Sequence, residues 1–430
     1  MRQPDRLKKI GGAACVLLVT LAALGGCGGG SAGAPQTAVP SAPVEKSSLP
    51  PAVADAVQAD TAVNPLIVTA DNAFGLSLLD TLNQTPTENI AISPLSIALV
   101  LQIMYNGAAG ATQQVMAQSL QLQGLAAADL DNDNAALQAS LVNPDPQVQL
   151  TIANSLWMHL SANPVLPSFI QANQTYYGAE IGDLSGAPAN VNAWVSSNTN
   201  GLITQILPPQ GNYATVVAVI ANALYFKGAW TVQFDPSHTT SAAFTLSDGS
   251  QSSCQMMHQS GSYAYFKGAN FQALRIPYGN DRLSMLILLP DSGVDLSAFI
   301  AGITTDDLNT WISQLQTSSG VIALTRFTST YGASLPPALS SLGMGIAFSP
   351  ASANFSGIAP NTYISDIEHK TVVEVDETGT VAAAATSGSV GVTATGTSSF
   401  TMTMDHPFFY AIQDDKTGAL LFIGALANPT

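Results

Sequence analysis

Runs of apolar residues about as long as a β-strand recur through the chain and predict a core rich in sheet. They consist largely of aliphatic, β-branched and aromatic residues, and turn sequences such as YGND and PDSG follow two of them. Such segments are typical of buried strands. The clearest are Thr151–His159, Thr215–Phe226, Asn270–Tyr278 and Arg282–Pro290.

Helical spacing appears in other parts of the chain. Phe74, Leu78 and Leu82 share one helical face, and Pro94 opens an apolar run at a position where proline fits the first turn of a helix. Val191–Pro208 also has amphipathic helical character. Helices and strands follow one another without a simple βαβ rhythm, which predicts a large α+β domain.

The segment Thr378–Met404 differs from the rest of the chain. It contains no charged residue, no proline and, before Phe400, no aromatic residue. Composition alone favours a flexible linker. The flanks favour another interpretation, because Thr371–Glu377 has a strand pattern and the apolar segments His406–Ile412 and Ala419–Leu426 predict a hairpin.

A long loop held at both ends by buried strands is usually functional. The side chains at alternate positions of this loop are small, namely those of Thr380, Ala382, Ala384 and Thr386. Neither face of such a segment would be obstructed if it entered a sheet as a strand. The sequence therefore predicts a loop that can be inserted.

The N-terminal residues have the pattern of a targeting signal. Four basic residues precede the short apolar run Ile10–Leu24, and the sequence LGGC ends at Cys27. This pattern predicts that residues 1–26 are a lipoprotein signal peptide and not part of the fold, and that the thiol of Cys27 is lipidated. An ordinary signal peptide with an incidental cysteine is the alternative. Residues 27–60, rich in Gly, Pro, Ser and Ala, then form a flexible tether, and residues 61–430 form the folded domain.

Charge and cysteine content exclude several classes of function. The chain has 28 acidic and 12 basic residues, a formal net charge of −16, which opposes binding to nucleic acid or to anionic lipid. Cys254 has no partner for a disulfide within the predicted domain, and we expect it to be a small buried strand residue. The sequence contains no common catalytic motif, and its five histidines lack metal-ligand spacing. We therefore expect no enzyme activity, no metal and no cofactor.

Several separate motifs resemble those of one family, the serpins. They occur in the family's order over Ala70–Thr430 and read NIAISPLSIALVL, VIANALYFKGAW, HKTVVEVDETGT, HPFFYAI and FIGALANPT. The resemblance implies a monomer with three β-sheets, eight or nine helices and an exposed reactive-centre loop. It also implies a suicide inhibitor of serine proteases. The segment where some members bind heparin, Ala111–Leu122, has no Lys or Arg, so no heparin binding is expected.

Further residues take their expected roles from the same resemblance. The family's shutter, a buried polar cluster beneath the main sheet, corresponds to Ser93, Ser96, Asn222 and His369. Its breach, at the top of the sheet, corresponds to Trp230, Arg326 and Glu377. The hinge of the loop corresponds to Glu377, Gly379, Thr380, Ala382, Ala383, Ala384 and Ala385. The family's spacing from Glu377 places the scissile bond between Thr393 and Ala394, within about two residues.

The small neutral residues around this bond predict the target. They suit the shallow pockets of elastase-like or subtilisin-like proteases and leave the acidic pocket of a trypsin-like protease unpaired. The alternative function is that of a non-inhibitory serpin, a carrier or chaperone-like binding protein. Localisation follows from Cys27: we expect an exported protein, lipid-anchored to the bacterial cell envelope at the outer membrane, in which only the anchor contacts the membrane, with an extracellular protein as the alternative.

Overall fold

The computed structural model describes residues 13–23, 62–126, 129–162, 164–380 and 399–430. These residues contain nine α-helices and sixteen strands. The helices are α1 Pro65–Leu82, α2 Pro94–Gly107, α3 Gly110–Ser119, α4 Leu130–Leu141, α5 Pro167–Tyr177, α6 Ala189–Asn198, α7 Leu296–Ala301, α8 Thr305–Gln314 and α9 Pro336–Ser341.

The strands form two hydrogen-bonded networks. Their bounds are β1 Ala13–Ala23, β2 Ile90–Ile92, β3 Val148–Met158, β4 Glu180–Asp183, β5 Val216–Ala229, β6 Thr240–Thr245, β7 Gln251–Lys267, β8 Phe271–Tyr278, β9 Leu283–Pro290, β10 Gln316–Thr325, β11 Phe327–Ser334, β12 Thr362–Val375, β13 Gly379–Thr380, β14 Phe400–Thr403, β15 Phe408–Asp414 and β16 Leu420–Leu426.

The first network is a single sheet in the order β11-β12-β1-β5-β3-β4, with the short β13 added on β5. The second network runs β14-β10-β7-β8-β9-β15-β16-β2, and β6 pairs with β7. β7 belongs to two halves of this network, since Met256–Tyr265 pairs with β10 and Ala264–Lys267 pairs with β8. Counted on either side of β7, the described strands make three sheets, and with nine helices among the described residues this agrees with the predicted α+β architecture.

The patterns that predicted individual elements correspond to observed ones. Ser93 caps the N-terminus of α2, its hydroxyl accepting a bond from the backbone N–H of Ser96, and Pro94 lies in the first turn. β15 and β16 form the predicted hairpin, and both are fully buried. Cys254 lies buried in β7 as a free thiol, as predicted. The helix predicted within Val191–Pro208, which was expected to end on a glycine, is α6, and it ends at Asn198, three residues before Gly201.

Part of the N-terminal segment predicted to be a signal peptide is a strand of the first sheet in the structure of the full chain. β1 occupies the centre of the first sheet between β12 and β5, and its residues Ala13–Leu21 are buried. Its Ala, Val and Leu side chains suit a strand with two buried faces as well as they suit a signal peptide, so composition could not separate the two. The described fold therefore includes Ala13–Ala23. Cleavage before Cys27 stays a prediction about processing of the chain.

No helix among the described residues is long and apolar enough to cross a membrane.

Candidate functional site

The site begins where β12 ends and the chain turns sharply. The side chain of Asp376 accepts hydrogen bonds from the backbone N–H of Thr378 at 2.8 Å and of Gly379 at 3.2 Å. The backbone N–H of Asp376 donates to the carbonyl of Gly379 at 2.9 Å. This turn brings Gly379 and Thr380 beside β5, where they pair with Ala229 and Gly228 as β13.

Only glycine fits at position 379. Its φ is +150°, and a Cβ there would lie 2.2 Å from the carbonyl oxygen of Gly228 and 2.8 Å from the backbone nitrogen of Trp230. Backbone atoms cannot move aside as a flexible side chain can. The close approach therefore fixes the register in which the chain enters the groove beside β5.

Glu377 holds the turn against the second network. Its carboxylate accepts a hydrogen bond from the Thr239 hydroxyl at 2.6 Å and contacts the Arg326 guanidinium, and its carbonyl accepts from the backbone N–H of Phe234 at 2.9 Å. Burial alone would raise the pKa of Glu377, but the bonds from Thr239 and Arg326 outweigh burial and hold this pKa below its ordinary value. The carboxylate is therefore charged and anchored at neutral pH.

Trp230 packs the turn from the other side. Its indole N–H donates to the carbonyl of Asp376 at 2.9 Å, and its ring stacks on Tyr278 with centroids 4.4 Å apart. The hydroxyl of Tyr278 lies 2.8 Å from that of Thr380, and both side chains are buried. The three predicted breach residues thus lie together around the turn. Thr239 and Tyr278 are additional partners that no sequence pattern indicated, since their neighbours in space are distant along the chain.

The chain returns to the described structure at Ser399. The backbone N–H of Ser399 donates to the carbonyl of Ser319 at 2.8 Å, and β14 then pairs in parallel with β10. Phe400 stacks on Tyr265 with ring centroids 3.8 Å apart, and Met402 is fully buried. The two ends of the loop are therefore attached to different sheets.

Several predicted residues lie outside the described residues. These are the hinge residues Ala382, Ala383, Ala384 and Ala385, the predicted reactive bond Thr393–Ala394, and Cys27. Their assigned roles stay predictions.

Three of the predicted shutter residues lie at the start of α2 and on β5. The hydroxyl of Ser96 donates to the side-chain oxygen of Asn222, and the amide of Asn222 donates to Asn154 at 2.9 Å. Asn154 in turn donates to Gln138 at 3.0 Å. These buried groups satisfy one another, as buried polar groups must to be tolerated. Asn154 and Gln138 extend the cluster beyond the residues that the resemblance supplied.

His369 lies on β12, across β1 from Asn222, because Leu17 faces both residues. One ring nitrogen is 2.8 Å from the hydroxyl of Thr371, and the other is 3.6 Å from the sulfur of Cys15. Burial lowers the pKa of His369 to about 3, so the ring is neutral at physiological pH. His369 is therefore linked to the other predicted shutter residues through Cys15.

Cys15 fills the space between the two halves of the predicted shutter. Burial raises the pKa of its thiol to about 12, although hydrogen bonds with Ser96, Thr371 and Ser93 act in the opposite direction. A buried thiol that stays protonated behaves as a small apolar side chain.

Within the described ranges, no group of three His, Cys, Asp or Glu residues is placed to hold a metal ion.

The described chain thus leaves the first sheet at an anchored turn after β12 and re-enters the structure in the second network, at β14. The family model for the serpins, the serine protease inhibitors, matches residues 69–429, and the chain belongs to this family.

Individual relatives agree with this assignment. The chain is 30% identical to a leukocyte elastase inhibitor of Xenopus laevis over 372 residues, which covers 83% of this chain and 97% of the relative. Among solved structures, the native state of the thermophilic serpin tengpin matches with a TM-score of 0.76 and 29% identity, covering 86% of this chain and 96% of that one. A thyroxine-binding globulin in complex with thyroxine matches with a TM-score of 0.74 and 25% identity, covering 85% and 99%.

Proposed function

We propose that this protein inhibits serine proteases by offering its loop as a substrate and trapping the acyl-enzyme through loop insertion. One observation carries the proposal: the turn held by Glu377 delivers Gly379 and Thr380 onto β5 as the start of an added strand. The next residues along the chain, 381–398, join this strand to β14 in the other sheet network. Cleavage within that segment frees its first half to extend β13 along β5.

The chemistry is that of an interrupted proteolysis. The protease serine hydroxyl attacks the carbonyl of the scissile bond, an ester forms, and the C–N bond breaks. The serine proton passes through the protease histidine to the leaving amine, which departs as the new amino terminus of the C-terminal fragment. Water would normally hydrolyse the ester. Insertion must deform the protease before that second step.

The side chains of the hinge suit insertion. Thr380 points into the core, so in an extended strand Ala382, Ala384 and Thr386 would follow on the same buried face. All are small. About a dozen inserted residues, each adding a net ~0.5–1.5 kcal/mol of ladder hydrogen bonding, would contribute on the order of 10 kcal/mol, as much as the stability of an ordinary domain. Such a gain requires the uncleaved form to be kinetically trapped.

The target is an elastase-like or subtilisin-like protease. Val392, Thr393 and Ala394 are small or β-branched and neutral, and no Lys or Arg lies between Thr378 and Met404. These residues fill shallow apolar pockets and leave the carboxylate of a trypsin-like pocket unpaired. One relative carries the name of an elastase inhibitor, which supports the same class. Attack within β14 is disfavoured, because Phe400 and Met402 are buried and paired.

In this proposal, the inhibitor acts at the bacterial cell envelope, on the outer face of a membrane. Export and lipidation of Cys27 would tether the inhibitor through residues 28–60, whose composition gives an extended and flexible chain.

A carrier function is the second candidate, because thyroxine-binding globulin shares the fold and is described with thyroxine bound. A carrier needs no insertion, and proline, charge or bulk in the hinge would be tolerated there. The sequence GTVAAAAT from Gly379 contains none of these. The hinge thus favours inhibition.

The test is a covalent complex that survives denaturation. The form Gly28–Thr430 contains the whole of the matched family span, residues 69–429, and can be incubated with elastase-like, subtilisin-like and trypsin-like proteases. We expect a detergent-resistant complex with the first two classes and none with the third. A protease whose serine is blocked by a sulfonyl fluoride is the control and should give no complex. Loop-cleaved product alone, with every protease, would reject inhibition and favour the carrier.

A further inference from the structure

β1 completes the first sheet by pairing along both of its edges. It runs antiparallel to β5 from the pair Ala13 and Phe226 onward, and antiparallel to β12 from the pair Ala13 and Val373 onward. β5 and β12 are therefore parallel to each other and are separated by the width of one strand. That strand comes from the far N-terminus of the chain.

Both faces of β1 are buried. Cys15 and Leu17 belong to the main core, whereas Val16 and Leu18 pack in a second cluster with Trp194 of α6. No residue of Ala13–Ala23 is charged. The segment therefore fits between β5 and β12 without leaving a buried charge or an exposed apolar face.

β1 and β13 lie end to end on the same edge of β5. Thr380 pairs with Gly228, and Ala13 pairs with Phe226, so a single position of β5 separates the two strands. Both run antiparallel to β5. A chain that continued from Thr380 in the register of β13 would have room for one residue opposite Lys227 and would then need the position opposite Phe226, which Ala13 already fills.

The same competition extends to the predicted shutter. Leu17 faces Asn222 on one side and His369 on the other, and Cys15 contacts His369. An inserting loop would have to run between the same two residues, because they lie on the two strands that flank this position. Loop and N-terminal segment cannot both occupy it.

We propose that Ala13–Ala23 is an internal plug, which holds the strand position that the loop needs for insertion. The chain that retains the plug is then a substrate of proteases, because its acyl-enzyme hydrolyses before any insertion. The chain that has lost the plug is an inhibitor. Cleavage before Cys27, the predicted processing step, would remove the plug and thereby activate the protein. This inference rests on the proposed function.

A disulfide lock tests the position of the plug without reference to activity. Cys15 faces Thr371 in the register between β1 and β12, so Thr371→Cys in the full chain places two thiols on directly opposed residues. Under mild oxidation we expect a disulfide that peptide mapping locates between β1 and β12. The control is Ile367→Cys, which faces Val19 and should not link to Cys15. Failure of the lock in the folded full chain would overturn the placement.

The activity arm compares the full chain with the form Gly28–Thr430. We expect the full chain to yield less covalent complex with an elastase-like protease, by about tenfold or more, because only molecules with an open sheet can insert. In the full chain Leu17→Asp should restore trapping, since a buried unpaired carboxylate expels the plug. Ala23→Asp, at the half-buried end of β1, is the matched control and should leave the plug in place.

The outcomes separate this inference from the proposed function. Equal trapping by the full chain and by Gly28–Thr430 would overturn the plug and leave inhibition intact. Absence of trapping by both forms would overturn inhibition, and with it the plug as a regulator. If Leu17→Asp does not fold, the oxidised and reduced forms of Thr371→Cys replace it: oxidation should abolish the residual trapping that the reduced full chain keeps, because a locked plug cannot leave the sheet, and equal trapping by both forms would overturn the plug.

Discussion

Thr380 provides the sharpest test of insertion, because it is the last hinge residue that the structure describes and its side chain already lies in the core. It is fully buried, and its hydroxyl lies 2.8 Å from that of Tyr278, which stacks on Trp230. We consider Thr380→Arg in the form Gly28–Thr430. The substituted side chain would place a guanidinium at the position where the hydroxyl of Thr380 now contacts the phenol hydroxyl of Tyr278.

The cost follows from these contacts. Tyr278 would lose its partner, which costs ~1–3 kcal/mol for a buried hydroxyl, and an unpaired buried guanidinium adds several kcal/mol. Because Thr380 already pairs with β5 before cleavage, only the part of this cost that is greater in the inserting state raises the barrier, and ~3 kcal/mol of such a difference slows insertion by roughly 100-fold. Hydrolysis of the ester is unaffected, since it takes place on the protease. The Thr380→Arg variant should therefore yield less covalent complex and more loop-cleaved product than the unmodified protein.

The assay measures that balance directly. Inhibitor and an elastase-like protease are mixed, and the ratio of covalent complex to loop-cleaved product is read from a denaturing gel. Thr380→Ser is the matched control, because it keeps the hydroxyl and should keep most of the trapping. The rate of loop cleavage should be the same for both variants, as Thr380 is thirteen residues before Thr393 (393 − 380).

Two results would refute the reasoning. Trapping by Thr380→Arg as efficient as that of the unmodified protein would show that a guanidinium at this position does not slow insertion, and that the hinge does not insert as proposed. A loss of loop cleavage in Thr380→Arg would show that the substitution acts on recognition by the protease and not on insertion.

Three further predictions concern the cut bond and buried titratable groups. Mass spectrometry of the released C-terminal peptide should give a new amino terminus at Ala394 or within two residues of it. Burial raises the pKa of Asp71 to about 8, so stability should fall as the pH rises from 3.8 to 8, and Asp71→Asn should flatten this slope in urea midpoints. Burial lowers the pKa of His369 to about 3, so stability should fall as the pH drops from 6.5 to 3, by ~1.4 kcal/mol per pH unit, and His369→Gln should flatten that slope.

Each of these has a contradicting outcome. A new amino terminus next to Phe400 or Met402 would require β14 to open and would indicate a chymotrypsin-like target. An Asp71→Asn variant that keeps the fall in stability between pH 3.8 and 8 would assign that slope to other groups. The same holds for His369→Gln and the acid slope.

The sequence by itself determined the elements whose patterns are local. Long apolar runs bounded by turns became β3, β5, β8 and β9, and the two C-terminal runs became the hairpin of β15 and β16. These predictions succeed because side-chain periodicity and turn chemistry act over a few residues. The arrangement of these elements in three sheets was predicted from the resemblance of the motifs to those of the serpins, because members of that family share one fold.

Contacts between residues distant along the chain were decided by the tertiary structure. The bonds of Thr239 to Glu377 and of Tyr278 to Thr380 join segments more than a hundred residues apart, and no local pattern encodes them. The register of β13 is set by the close approach of Gly379 to Gly228, which only a folded backbone can define.

The position of β1 could not be predicted from local sequence patterns. Composition assigned Ala13–Ala23 to a signal peptide, because a short apolar run after basic residues has that pattern. The same run of Ala, Val and Leu meets every requirement of a strand buried on both faces. Whether such a segment remains outside the fold or packs as a strand depends on whether the fold contains an unfilled strand position. That place is the space between β5 and β12, and it exists only once these two strands have been brought together.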